Sequence, residues 1–246
     1  MRQLRKGRQV RRGIYFGIVV LLVGGLSACS SKPKEAVRTP TPTATPTLSA
    51  TRKASTTALT LGVSCKPTNA IGHVAKTITP PAIKTPGRMG TFTLVTNCGN
   101  IVIATNGVKA PMTMTALTTL AKGGYFDGSL CHRLTTVGLF VLQCGDPTAS
   151  GSGGPGFAYQ DENLPEQVAN NYPAGTVAMA NSGPATNGSQ FFLVYDNTTL
   201  GASYTTWGKI TSGLNIVRAI AAAGVANGGP DGPPAVKIAI EKVIVK

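Results

Sequence analysis

Beyond residue 60 glycine and proline cut the chain into short runs, and this punctuation restricts it to a fold of many short strands. The 246 residues include 30 glycines and 17 prolines. Thr91 to Thr96 and Asn100 to Thr105 are rich in β-formers and are joined by Asn97-Cys98-Gly99, the pattern of a hairpin. Further strand candidates are Cys131 to Leu134, Phe140 to Gln143, Thr176 to Ala180, Phe191 to Val194, Thr206 to Ile210 and Ala235 to Val245. Only two stretches have helical character. Pro111 to Lys122 starts with proline, ends before Gly123-Gly124, and places Met112, Ala116 and Leu120 on one face. Gly213 to Ala223 is the second, and Gly228-Gly229-Pro230 stops any continuation. Many strands with two helices suggest a β-barrel whose ends are plugged by helices. No internal repeat is present.

The N-terminal segment has a different composition. Arg2, Arg5, Lys6, Arg8, Arg11 and Arg12 precede an apolar run from Ile14 to Leu26 that ends in Leu26-Ser27-Ala28-Cys29. A basic head, a short apolar stretch and small residues at the cut describe a secretory signal peptide. Leu-Ser-Ala-Cys resembles the bacterial lipobox, in which the cysteine thiol takes a diacylglyceryl group and becomes the first residue. The other reading is an uncleaved membrane anchor, and both put the domain outside the membrane. Residues 1–28 are therefore expected to be a lipoprotein signal peptide and residues 29–60 a disordered Thr/Pro/Ala-rich tether. An N-terminal extension (61–90) and a folded domain (91–246) would follow. The expected location is the extracytoplasmic face of the cell membrane, lipid-anchored through Cys29.

The formal charge of +14 is distributed in a way that excludes nucleic acid as a partner. Six of the 23 basic residues lie in the signal segment, and residues 61–246 carry 12 basic against 8 acidic residues. A nucleic-acid module concentrates its charge on its own fold, whereas basic residues beside a lipid anchor favour an anionic membrane surface.

With Cys29 assigned to lipid, Cys65, Cys98, Cys131 and Cys144 allow three pairings in an oxidising compartment. Cys131 and Cys144 flank an expected strand–loop–strand hairpin and could face each other. Cys65 with Cys98 would then pin the extension to the domain. Buried free thiols are the alternative, and the absence of a close Cys-x-x-Cys pair speaks against zinc.

Two motif groups carry the chemistry. In the first, Cys131-His132-Arg133-Leu134 is followed by Phe140-Val141-Leu142-Gln143-Cys144-Gly145-Asp146, and alternation on adjacent strands would bring Arg133 and Gln143 together on one face. The second runs from Val177 through Ala180-Asn181-Ser182-Gly183 and Asn187-Gly188-Ser189-Gln190 to Phe191-Phe192. This second stretch resembles the cyclophilin signature almost residue for residue, and His-Arg with Phe-x-x-Gln-x-Gly-Asp resembles the other half of that family's site. The resemblance covers about Phe92 to the C-terminus. It implies a mainly β fold, a closed antiparallel eight-stranded barrel capped by two α-helices, and peptidyl-prolyl cis–trans isomerase activity. By position it makes Arg133 the catalytic arginine and Gln143 the glutamine that holds it. Phe140, Val141, Phe192 and Leu200 would form the proline pocket, with Tyr204 on its wall. Ala180 and Asn181 would hydrogen-bond the extended substrate, Gln190 would add a polar contact, and Gly151 to Gly154 would form a flexible rim. It implies no cofactor and no metal, proline-containing segments of exported proteins as partners, and a monomer.

Three departures stand out. The spacing from Arg133 to Phe140 is two residues longer than in better-known members. Thr199 replaces a tryptophan implicated in cyclosporin binding, which implies weak inhibition by that drug, and Tyr204 replaces a histidine. Of the remaining polar residues, His132 should point away from Arg133 in a structural role, and Asp161, Glu162 and Glu166 read as a solvated loop face. The competing function is a proline-peptide-binding module or chaperone whose turnover is incidental.

Overall fold

Alternation builds the first hairpin. The structure is a computed structural model describing residues 57–82 and 87–246. The expected signal peptide, Cys29 and most of the tether lie outside the described residues. A small lead-in pairs β1 (Thr57–Ala58) with β2 (Ser64–Cys65), so the ordered extension reaches back into the stretch expected to be tether. Next, β3 (Met89–Thr96) and β4 (Gly99–Asn106) pair from Thr96↔Gly99 to Met89↔Asn106. Phe92 and Leu94 on one strand and Ile101 and Ile103 on the other are buried, with more exposed neighbours between them. Gly99 leaves the turn at φ 116°, which a side chain would strain.

The remaining elements follow in chain order: α1 (Pro111–Lys122), β5 (Ser129–Leu130), β6 (Arg133–Thr135), β7 (Val141–Cys144), β8 (Thr176–Met179) and β9 (Phe191–Val194). They are completed by β10 (Thr206–Ser212), α2 (Leu214–Ala223), β11 (Asp231–Gly232) and β12 (Ala239–Val245). The main sheet is antiparallel with order β11-β6-β7-β9-β8-β10-β4-β3-β12-β5. Ten strands stand where the sequence led to eight. The difference lies in β11, a two-residue edge strand, and in β5 and β6, the two ends of one continuous stretch. That stretch closes the barrel. The Cys131 amide donates to the Ile238 carbonyl on the β12 side (3.0 Å), and the next amide, His132, donates to Gln143 on β7 (3.0 Å). Cys131 and Cys144 are bonded across this crossing, and Cys65 is bonded to Cys98 at the first hairpin.

Inside the barrel Trp207 is fully buried, with Phe92 and Phe191 edge-on at 5.4 and 5.7 Å. Phe126 extends the cluster to both rings at 6.2 and 6.0 Å. Each such pair contributes about 0.5–1.5 kcal/mol beyond area burial. A second cluster lies on the outer face of β7, β8 and β9, where Val141, Tyr172, Ala178, Phe192 and Val194 are buried. Those strands are thus covered on both faces, which explains why Phe191-Phe192-Leu193-Val194 is apolar without alternation.

Helix α1 buries Thr113, Ala116, Leu117, Leu120 and Ala121, and Met112 is only half-buried rather than leading that face. Its start has no local cap, since Ala110 offers no side-chain acceptor. Glu162 supplies one from a distant loop. Its carboxylate accepts from the Met112 and Thr113 amides at 3.0 and 2.9 Å and from the Thr113 hydroxyl at 3.0 Å. Asp161 accepts from the Ala185 amide (2.9 Å) and the Asn187 side-chain amide (2.8 Å). The expected solvated loop face is therefore corrected for these two residues, which fasten loops and a helix end; Glu166 is exposed. Replacing Glu162 with alanine removes this cap and should lower stability by about 1–2 kcal/mol. Urea unfolding measures it, and an unchanged midpoint would show that solvent caps the helix equally well.

Candidate active site

Strand register sets out the site. Arg133 pairs with Gln143, Gln143 with Phe192, and Phe192 with Ala178, so four residues from four strands form one row across the sheet. On β7 the pleat sends Leu142 and Cys144 inward and leaves Val141 and Gln143 on the outer face. A cavity of about 160 Å³ opens there. Its apolar lining is Leu139, Val141, Phe192 and Leu200, with Tyr204 on one wall and Ala180 and Asn181 at the edge. Arg133 stands at the polar side.

Phe140 is the exception among the expected pocket residues. It has the parity of Leu142, so its half-buried ring packs against the barrel core and Tyr195, 5.9 Å between centroids. Leu139, with the parity of Val141 and Gln143, takes its place in the cavity. Alternation alone would have found Leu139; the motif drew attention to the phenylalanine. Sequence reasoning also missed Tyr172. Its buried ring lies under the pocket against Phe192 (6.1 Å) and Tyr204 (6.2 Å), and its hydroxyl accepts from the Tyr204 amide at 3.1 Å and donates towards the Gly201 and Tyr204 carbonyls, both at 3.2 Å. Nothing periodic in the loop around Tyr172 marks it.

The polar groups form one directed chain. Arginine has only donors, so Gln143 must turn its oxygen to Arg133 Nη1, 3.2 Å away. Its Nε2 then donates to Gln190 Oε1 at 2.8 Å. Gln190 in turn donates to the carbonyls of Gly151 and Gly153 at 3.0 and 2.8 Å. On the other side Asp231 grips Arg133 through Nε (2.7 Å) and Nη2 (2.6 Å). The Asp231 hydrogen bond raises the guanidinium pKa further, and Arg133 pulls the Asp231 carboxyl below its ordinary range. Asp231 is 98 residues from Arg133 in sequence and nothing local announces it.

The Ala180 amide is occupied by the Gln190 carbonyl (2.9 Å), which leaves its carbonyl as the group it can offer a ligand. Asn181 is fixed by its side-chain amide donating to Ser203 (2.8 Å). These two residues and Gln143 also border a second cavity of about 470 Å³, walled opposite by Gly151 to Ala158. That wall is a pinned loop rather than the flexible rim expected. Asp146 lies fully buried beneath it and accepts from the Thr148, Gly151 and Gly153 amides at 2.8, 2.8 and 3.1 Å. The Thr148 and Ser150 hydroxyls add contacts at 2.7 and 3.3 Å. A Cβ at Gly153 would collide with that carboxylate. His132 is buried under the same loop, near Gly151, and has no hydrogen-bond partner on either ring nitrogen among the described residues. Burial lowers its pKa below the ordinary imidazole value. Among the described residues no group of three His, Cys, Asp or Glu side chains could hold a metal ion.

An apolar cup beside a fixed guanidinium, opening onto a groove with hydrogen-bonding edges, defines a site for a small ring carried on an extended chain. Comparison with known proteins gives that class a family. Residues 91–245 match the family described as cyclophilin type peptidyl-prolyl cis-trans isomerase/CLD. A probable peptidyl-prolyl cis-trans isomerase B of Mycobacterium leprae is 44% identical over 197 residues, covering 74% of this chain and 67% of the relative. The protein of the same description in Mycobacterium tuberculosis is 40% identical over 200 residues, covering 75% and 65% respectively. The chain thus spans about two thirds of the length of these relatives. A solved structure of a Cryptosporidium parvum cyclophilin type peptidyl-prolyl cis-trans isomerase matches with a TM-score of 0.56 at 25% identity, covering 65% of this chain and 98% of that one. The chain belongs to the cyclophilin-type peptidyl-prolyl cis–trans isomerase family.

Burial raises the Asp146 pKa, but hydrogen bonds from Thr148, Gly153 and Gly151 outweigh it and hold the carboxyl below its ordinary value. Its contribution to stability is therefore present above the unfolded-state pKa of about 4 and is lost as pH falls through the lower native value. Asp146→Asn should cost roughly 2–3 kcal/mol at neutral pH. In urea unfolding the gap to wild type should close below about pH 4; a gap independent of pH would show that shape, not charge, orders the loop.

Proposed function

We propose that the protein isomerises X–Pro bonds in exported or cell-surface proteins, as a monomer held at the outer face of the membrane by a lipid on Cys29. The observation that carries the catalytic part is the Arg133 guanidinium fixed at the mouth of the Leu139–Val141–Phe192–Leu200 cup.

Rotation about an X–Pro amide faces a barrier of about 20 kcal/mol because the nitrogen lone pair is delocalised into the carbonyl. Burying the three ring methylenes in the cup contributes roughly 2 kcal/mol. That burial is the same for cis, trans and twisted substrate, so it gives affinity and orientation but no rate. The rate has to come from a contact that strengthens during rotation. A guanidinium N–H directed at the imide nitrogen does so, because the twisted amide localises its lone pair and accepts a hydrogen bond that the planar amide refuses. With the ring held, the preceding carbonyl swings. The residues before proline lie along the Ala180–Asn181 edge towards the pinned Gly151–Gly154 loop. No nucleophile or general base is needed. A second Cryptosporidium parvum structure, obtained in the presence of the dipeptide Ala-Pro, fits a pocket sized for one proline. Two disulfides and the Leu26-Ser27-Ala28-Cys29 segment support an oxidising, extracytoplasmic setting.

A protease-coupled assay on an X–Pro tetrapeptide tests the reaction. Arg133→Ala should lower kcat/KM by about 100-fold or more while peptide binding persists. Peptide binding by wild type without turnover would leave a proline-peptide holder or chaperone. The anchor is tested separately by fractionating cells that express Cys29→Ala. Release of the protein, or accumulation of unprocessed precursor, is expected, and a mature membrane-bound variant would refute lipidation.

A further inference from the structure

The loop between α2 and β12 supplies the tightest partner of Arg133. We propose that Asp231 is the positioning residue of this arginine, turning its free N–H groups towards the cup; the inference rests on the isomerase reading above.

Of the five guanidinium N–H donors, Asp231 takes one on Nε and one on Nη2, and Gln143 takes one on Nη1. Two remain, one on each terminal nitrogen. The two bonds from Asp231 are short and parallel, at 2.7 and 2.6 Å, which fixes the guanidinium plane. The single 3.2 Å bond to Gln143 would by itself let the group swivel. Asp231 therefore sets the plane, and Gln143 joins it to the rest of the polar chain.

The carboxylate is presented by a built platform. β11 pairs with β6 through Asp231↔Thr135 and Gly232↔Leu134, and the Thr136 amide donates to the Pro230 carbonyl (2.9 Å). The loop's two arms are tied by Ala226 to Pro233 and Ala235 to Gly224, both at 2.8 Å. Pro230, Pro233 and Pro234 restrict its backbone further. Gly232 runs at φ 153°, and a Cβ there would sit 3.0 Å from Val225 Cγ1.

A surface ion pair with no task is the competing account. Arg133 and Asp231 side chains are 40% and 49% exposed, so the pair contributes little to stability. The two accounts separate in kinetics. In the tetrapeptide assay Asp231→Ala and Asp231→Asn should lower kcat about 10-fold with KM nearly unchanged. The unfolding midpoint should stay at the wild-type value, and Asp231→Glu should recover part of the loss. In an Arg133→Ala background, removing Asp231 should change nothing further. Wild-type or faster kcat in Asp231→Ala overturns the proposal, as does an equal loss in the Arg133→Ala background. If wild type shows no turnover, the isomerase reading fails, and the clamp is read from the Arg133 Nε–H signal by NMR. Slow exchange of that proton in wild type, lost in Asp231→Asn, would support positioning; fast exchange in wild type would overturn it.

Discussion

Between Cys131 and His132 the chain stops pairing with β12 and starts pairing with β7, and the barrel and its site both depend on that change of partner. One amide turned to each side closes the sheet without an extra strand. It also fixes the register in which Arg133 faces Gln143. A slip of one residue would send Arg133 inward and His132 outward, because side chains alternate at every step. The Cys131–Cys144 bond spans the crossing at a sequence separation of 13, a loop length for which cross-linking stabilises by about 3 kcal/mol in the chain-entropy account. The covalent tie sits where a register error would do the most damage.

From that register follows a wall used on both sides. β7, β8 and β9 turn Leu142, Val177 and Phe191 to the barrel interior and Val141, Ala178 and Phe192 to the cup. The cup is thus carried by strands that the main core already holds rigid. Tyr172 braces it from below, so pocket shape does not depend on loop side chains alone. The polar chain from Asp231 to the Gly151–Gly153 carbonyls solves a different problem. Half-buried amides and a guanidinium next to apolar rings lose water, and each group in this row recovers a partner.

What the sequence reveals and what it conceals divide along the range of the interactions. The eight main strand runs and both helices follow from β-rich composition, turn residues and proline at the start of α1, all decided within a few residues. Arg133, Gln143, Val141 and Phe192 could be placed because their strands are neighbours and the pleat has period two. Phe140 follows the same rule to the other face, where its ring meets the barrel core and Tyr195. Glu162, Tyr172 and Asp231 were hidden for another reason. Glu162 and Tyr172 act from irregular loops and Asp231 from a two-residue edge strand, each on residues 20 or more positions away, and no period in such segments records where they will land. The contrast between His132 and Asp231 shows the limit. His132 lies in a run that the sequence marks as a strand, whereas Asp231 follows the Gly228-Gly229-Pro230 stop, where no pattern singles it out.

The same row explains why the cation at position 133 is an arginine. Lysine would bring the charge, but it has three donors and no plane. Two accepted by Asp231 and one by Gln143 would exhaust an ammonium group and leave nothing for a ligand. Arginine meets the same three demands and still has two N–H groups at its outer end, held in a direction by the partners on its sides. The apolar cup can hold a ring equally well in every rotational state. In the mechanism proposed above, only a group whose remaining donors have a fixed direction distinguishes the twisted amide from the planar one.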